Sequence, residues 1–271
     1  MTRKNLIIFV SLLVLALSSV LPTYAADKNS ASLADALRTI QGKEFVDLTQ
    51  SFSPNTPVWS GFGQATMSAA CDPKSYRPYS IEKDGFRSTF YSFVGQYGTH
   101  VDPPAHFDPH GMTMDRIPLK QMILPLVVID MTPLIAREPN HALSVTDIGA
   151  WEKVNGKVAP GSFVALRTDM YKDWTSNPER FKRYPFPAWS LAAIKFLFEE
   201  RAVTAIGHES MDTDTTELME SETWILMHNH FQIEVLANLD KVPATGGAVV
   251  VTWPKVENGF GFPARVFAIL P

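Results

Sequence analysis

The stretch SLAAIKFLFEERAVTAIG, residues 190–207, decides the fold class when it is read together with FVALR at residues 163–167. Ser190 stands where a helix N-cap belongs, because its hydroxyl can accept from the unpaired amides of the first turn. Leu191, Ile194, Leu197 and Phe198 then recur at helical spacing and mark one buried stripe. Glu199, Glu200 and Arg201 close the helix, and residues 202–206 read as a short strand ending at Gly207. Residues 163–167 are apolar and read as another buried strand. The order strand, helix, strand is a supersecondary unit of mixed α/β proteins.

The same signals continue on both sides. Residues 123–131, ILPLVVIDM, are a short β-branched run that reads as a buried strand. Ser144 can cap a helix that runs through Ile148 and Trp151 and stops at Asn155-Gly156. Residues 217–230 read as a further helix, with strands near 231–236, 248–253 and 264–270. Residues 34–40 suit a short first helix, and residues 45–66 mix strand and loop. Strands outnumber helices, and no repeat or low-complexity tract divides residues 26–271. One mixed α/β domain is expected there.

Residues 1–25 read as an address. Arg3 and Lys4 precede an apolar run from Leu6 to Leu21, then Pro22, and Thr23-Tyr24-Ala25 offers a cleavage site. That is the layout of a secretory signal peptide cut after Ala25. The run is short for a span of roughly 20 residues. The expectation is an exported protein, periplasmic or secreted, with no membrane partner once the signal is removed. The chain has 271 residues, and 45% are hydrophobic, enough to build a substantial core. A formal charge of −4 argues against nucleic acid, which needs a basic surface. Cys71 is the one cysteine, so no internal disulfide can form, and it is either buried or a free thiol.

The chemistry concentrates in QYGTHVDPPAH, residues 96–106. In extended chain, side chains two apart share a face, so Gln96, His100 and Asp102 can project into one pocket. Pro103 and Pro104 force a turn that brings His106 back toward it. Imidazole with carboxylate and no thiolate suits zinc or manganese. A metal there would make a nucleophile of water near neutral pH. A histidine outside the ligand set could then move protons. Spacing alone leaves metal binding and a chance cluster about equally open.

These residues resemble the His-x-Gly-Thr-His-x-Asp-x-Pro-x-His signature of the cyclase family of metal-dependent hydrolases, which includes bacterial kynurenine formamidases and isatin hydrolases. Ordered matches extend along most of residues 26–271. Asp115-Arg116-Ile117-Pro118, residues 127–130, residues 164–168, residues 205–209 with Asp212-Thr213-Asp214, and residues 234–239 all stand where the family has related segments. The resemblance implies a β-rich, barrel-like domain with peripheral helices of the swivelling β/β/α type, assembled as a homodimer or homotetramer. It implies hydrolysis of an amide by metal-activated water.

Carried over, His100 and Asp102 fall on ligand positions, His106 on the general acid/base, and Glu234 on a later carboxylate ligand. The family's first histidine is Gln96 here, and the histidine twelve residues before Glu234 is Glu222. Both changes move the site toward oxygen donors and so from zinc toward manganese or magnesium. The expected ligand set is therefore Gln96, His100, Asp102, Glu222 and Glu234, around one divalent ion, manganese or zinc, per chain.

Trp59 and Phe62 are expected to contact the substrate, while Phe86 reads as core. His208, after a strand end, is expected as a substrate contact or proton relay, against a surface histidine paired with Glu209. His228 and His230 read as helix-end residues bonded to terminal carbonyls. Asp212 and Asp214 read as a solvated loop that caps the next helix. The expected function is cleavage of a C–N bond in a small amide, N-formyl or cyclic imide-like molecule, with ester or lactone hydrolysis using the same machinery. A dedicated kynurenine formamidase fits less well with an export signal. The rival from another class is an exported small-molecule binding protein on a degenerate hydrolase scaffold, motivated by Gln96 and Glu222 and opposed by His106.

Overall fold

Alternation of apolar side chains gives the sheet two faces, and each face finds a different cover. The computed structural model describes residues 32–271; the export-signal reading falls on residues outside it. Its first elements are α1 (Leu33–Gln41), β1 (Phe45–Asp47), β2 (Thr66–Ala69), α2 (Ile81–Asp84), β3 (Thr89–Ser92), β4 (His100–Asp102), β5 (Ile123–Asp130) and α3 (Thr132–Ile135). Then come β6 (Ala142–Leu143), α4 (Val145–Asn155), β7 (Phe163–Arg167), β8 (Ala188–Trp189), α5 (Leu191–Lys195) and β9 (Ala205–His208). The last are α6 (Glu220–Met227), β10 (Phe231–Glu234), β11 (Gly247–Thr252), β12 (Phe262–Pro263) and β13 (Arg265–Ile269). Helix α1 belongs to one unit, and residues 42–271 form a compact unit of their own. No helix among the described residues is long and apolar enough to cross a membrane.

Nine strands form one sheet in the order β1-β13-β11-β5-β7-β9-β10-β4-β12. The central run β5-β7-β9-β10 is parallel, and its neighbours pair antiparallel. Parallel neighbours cannot be joined by a hairpin, so α4, α5 and α6 supply the three crossovers. The unit read from residues 163–207 is the middle one, with Phe163 opposite Ala205. On one face, Val46 from one edge strand and Val101 from the strand next to the other edge join a cluster with Phe163 and Ala165 from the middle. The sheet is therefore curled around that face as a half-barrel. On the other face, Val127, Ile129, Val164, Leu166 and Ile206 pack beneath Ile148, Ile194, Ile225 and Leu226 of the three crossover helices. Each such side chain, fully buried, contributes roughly 1.5–3 kcal/mol.

The capping residues behave as their chemistry predicts. Ser144 accepts from the Asp147 amide in a complete capping box, and α4 ends at Asn155. Ser190 accepts from the Ala193 amide at the start of α5. Two boundaries differ from the sequence reading. After α5 the helix passes into a π turn over Phe196–Glu200, and Ala202 takes a left-handed φ of 53°. The residues expected as the start of a strand are used to reverse the chain, and β9 begins at Ala205. Helix α6 is shorter than residues 217–230, because Met219 at φ 49° interrupts the backbone before Glu220. Cys71 is an exposed free thiol. Phe86 is half exposed against Tyr79 and so is not core.

Candidate metal centre and cleft

The register of one strand pair assembles most of the site. Strand β10 pairs antiparallel with β4, so that Glu234 lies opposite His100 and Gln232 opposite Asp102. Alternation puts these four polar side chains on one face and sends Val101 and Ile233 into the half-barrel core. Glu234 is the last residue of β10, and the carboxyl ends of strands are where open α/β sheets commonly bind ligands.

His100 is held by its backbone neighbour. Its Nδ1 lies 2.8 Å from the Gly98 carbonyl oxygen, which can only accept, so Nδ1 carries the proton. Gly98 has a φ of 66°, a left-handed conformation that favours glycine, and a Cβ there would approach Phe52 to 3.1 Å. Nε2 is thereby left to face two carboxylates, 3.5 Å from Asp102 Oδ2 and 3.5 Å from Glu234 Oε2. Ligand atoms of His100, Asp102 and Glu234 lie within 4.8 Å of one another, and all three residues are buried. A metal-ligating histidine typically donates its other ring proton to a carbonyl in this way.

The charge balance also fits a cation. A cavity of about 450 Å³ opens over these residues. Asp102, Asp212, Glu222 and Glu234 all line it, and among the described residues no lysine or arginine does. Burial pushes the Glu222 and Glu234 carboxyls well above their ordinary range, and the charge of Asp102 adds to it. Burial also raises Asp212, to about 6. Asp102 goes the other way: burial opposes its ionisation, but the charge and hydrogen bond of His100 hold it at about 2. Burial pulls His100 down, and Asp102 more than reverses that, so the imidazole is raised. Mutually repelling buried carboxylates beside an imidazole lone pair are a hard-to-intermediate donor set for a divalent ion.

Gln96 reaches this cluster by a different route from the one its spacing suggests. The turn at Gly98 breaks the extended chain, so Gln96 does not share the face of β4 by alternation. Its Nε2 donates to the Phe260 carbonyl at 2.8 Å and to Asp102 Oδ1 at 3.4 Å. The amide nitrogen, rather than the oxygen expected to bind metal, is thus the atom that meets Asp102. Gly261 makes room for it, since a Cβ at that position would fall 2.0 Å from Gln96 Nε2. Glu222 sits in the first turn of α6 and lines the cavity. Its amide and that of Ser221 donate to Asp214 at 3.0 Å, so Asp214 does the capping work that Met219 cannot.

His106 ends the short turn Pro104–His106 and lines the cavity, in keeping with the two prolines before it. Trp59 and Phe62 line it too, edge to face at 4.9 Å, with Phe107, Met211 and Met219 completing an apolar wall. His208 corrects the sequence reading. It is fully buried rather than on the surface or on the cavity wall, with Nε2 3.3 Å from Glu234 Oε1, and burial pulls it down to about 3. Glu209 does not pair with it, but accepts from Thr168 and Met170. The Asp212–Asp214 loop is buried, not solvated: Tyr184 donates to Asp212, and Asp214 does cap α6. His228 bonds the Trp224 carbonyl at 2.6 Å, as a helix-end histidine should. Gln232 escapes the sequence reading. It is wholly buried, with Nε2 3.3 Å from Asp102 Oδ2, 3.2 Å from Glu222 Oε1 and 3.1 Å from Glu234 Oε1. Its position two residues before Glu234 in a strand is the available signal.

The chain is similar to known proteins over most of its length. The Cyclase family model matches residues 46–215. The isatin hydrolase of Roseibium aggregatum is 29% identical over 249 residues, which cover 84% of this chain and 92% of that protein. The kynurenine formamidase of Paracidovorax citrulli is 22% identical over 187 residues, covering 64% and 76%. The solved isatin hydrolase A from Ralstonia solanacearum superposes with a TM-score of 0.77 at 27% identity, covering 91% of this chain and 100% of the other.

Proposed function

Because the chain belongs to the cyclase family, we propose that the cleft is the active site of a metal-dependent hydrolase that opens a C–N bond in a small amide, N-formyl or cyclic imide-like molecule. One observation carries the reading: His100 is fixed by Gly98 so that Nε2 faces the oxygens of Asp102 and Glu234 inside a cavity walled by aromatic side chains. The amide-cleaving relatives named above support the choice of bond.

His100, Asp102 and Glu234 would hold one divalent ion, manganese or zinc, with Glu222 and Gln96 beside it. Once bound, such an ion supplies the positive charge that acidifies water and polarises a carbonyl. The protein's own groups do the rest. Trp59 and Phe62 seat a flat, apolar substrate and exclude water from its far face. Asp102, held on one side by Gln96 and on the other by Gln232, orients the attacking water. His106, standing on its turn above the ligands, takes up the water's proton and delivers it to the departing nitrogen. Water thus adds to the carbonyl carbon, the C–N bond breaks, one proton of the water goes to the nitrogen and the other to solvent, and the groups left are a carboxylate and an amine. Export through residues 1–25, a single domain over residues 26–271, and assembly as a homodimer or homotetramer belong to the same proposal and rest on the sequence reading.

The test is turnover of isatin and formanilide by protein stripped of metal and then reloaded with manganese or zinc. Activity that appears only after reloading supports the reading. Activity unchanged by stripping, or no hydrolysis of any amide, imide, ester or lactone by the loaded protein, would overturn it.

A further inference from the structure

His208 is a buried imidazole that the reaction above leaves unused. It ends β9, opposite Leu166 of β7, and its carbonyl accepts from the Leu236 amide at 2.8 Å, so its backbone is fixed from both sides. Its side chain is fully enclosed, and among the described residues neither ring nitrogen makes a well-aligned hydrogen bond. A buried polar group without a partner is costly, and native structures rarely leave one. Glu234 Oε1, at 3.3 Å from Nε2, is within reach after a small rotation of the ring.

The two oxygens of Glu234 have different surroundings. Oε1 already accepts from Gln232 Nε2 at 3.1 Å and lies 3.5 Å from the Thr213 hydroxyl. That hydroxyl is committed to Gln232 Oε1 at 2.6 Å. Oε2 instead faces His100 Nε2 at 3.5 Å, inside the ligand group.

We infer that His208 is a positioning residue: its Nε2–H donates to Glu234 Oε1 and, with Gln232, occupies that oxygen so that Glu234 offers only Oε2 to the metal. The arrangement rests on the metal-hydrolase reading for its purpose, but the hydrogen bond itself does not. A carboxylate with one oxygen tied back cannot chelate with both, and its free oxygen is aimed at a single point. Residues behind metal ligands typically change affinity about 10–100-fold when replaced.

Two measurements decide it. In 15N-histidine-labelled full chain, ring nitrogen shifts report the tautomer; His208 is expected as the Nε2–H form, and its resonances are those lost in His208→Gln. A Nδ1–H tautomer would overturn the inference, whatever the metal content. Manganese binding by calorimetry is the second. His208→Phe removes the donor and is expected to weaken binding about 10–100-fold, while His208→Gln, which keeps a donor amide, stays within a few-fold of the parent. Equal affinity in the Phe variant, or equal loss in both variants, would contradict a donor role. A parent chain that binds no divalent ion would remove the hydrolase reading, while the tautomer still decides the hydrogen bond. If the Phe variant does not fold, the tautomer in the parent chain decides between the two outcomes.

Discussion

The site is built from two regions held by different forces. His100, Asp102, Gln232 and Glu234 stand on a strand pair whose backbone ladder fixes their register to the residue. Asp212 and Met219 stand on the segment that leads into α6, and Glu222 in the first turn of that helix, where no ladder exists. There, Tyr184 holds Asp212, and Asp214 holds the amides of Ser221 and Glu222. A strand residue cannot shift without slipping its whole strand. A loop residue can move when a single side-chain contact is lost. The strand pair should therefore decide whether a metal binds, and the loop should tune how well the cleft works.

Replacing His100 with Ala gives the largest effect expected. The variant should retain its fold yet contain no manganese or zinc by elemental analysis, and turnover should fall below detection. Metal retained at one equivalent would mean the strand pair is not the binding element. Next is His106→Ala, on the turn just beyond β4. It should keep its metal while kcat falls by about 10²–10⁴-fold. Undiminished turnover would remove His106 from proton transfer.

Changes on the loop side should be smaller. Asp214→Ala deprives α6 of its cap, at a cost of about 1 kcal/mol in urea unfolding. It should raise KM more than it lowers metal content, because Glu222 moves while His100 does not. Metal loss as complete as in the His100 variant would erase the distinction between the two regions.

The smallest effect lies away from both. His141 bridges Glu138 and Asp147 at the start of α4, with both ring nitrogens 2.9 Å from a carboxylate oxygen. Hydrogen bonds to Asp147 and then Glu138 raise its pKa. A histidine raised on folding stabilises fully below its unfolded value, near 6.5, and loses that contribution as pH climbs through the higher folded value. The largely exposed Glu138 limits the effect to under about 1 kcal/mol. His141→Gln should therefore flatten a decline in melting temperature between slightly acid and slightly alkaline buffer, without touching metal binding. An unchanged pH profile would deny the histidine its charge.

What is legible in the sequence follows the same division. Ser144 and Ser190 announce their helices because a cap acts within one turn. Residues 163–167 announce a strand because its core is local and apolar. His100, Asp102 and His106 are legible because one motif holds them together. The partnership of β4 with β10 joins residues about 130 apart, and nothing in either segment states it. Gln232 stays hidden for that reason, although strand alternation from Glu234 would place it. Asp212 and Asp214 read as a solvated loop in the sequence, and His208 as a substrate contact, because burial of a polar residue depends on what the rest of the chain brings over it. The π turn after α5 and the left-handed Ala202 likewise leave no local mark.

The most direct test of the metal centre is an anomalous difference map from crystals of the full chain grown with manganese. One peak within bonding distance of His100 Nε2, Asp102 and Glu234 Oε2 is predicted, at the junction of β4 and β10. No peak there at saturating manganese, or a peak held only by residues of the α6 loop, would contradict the account.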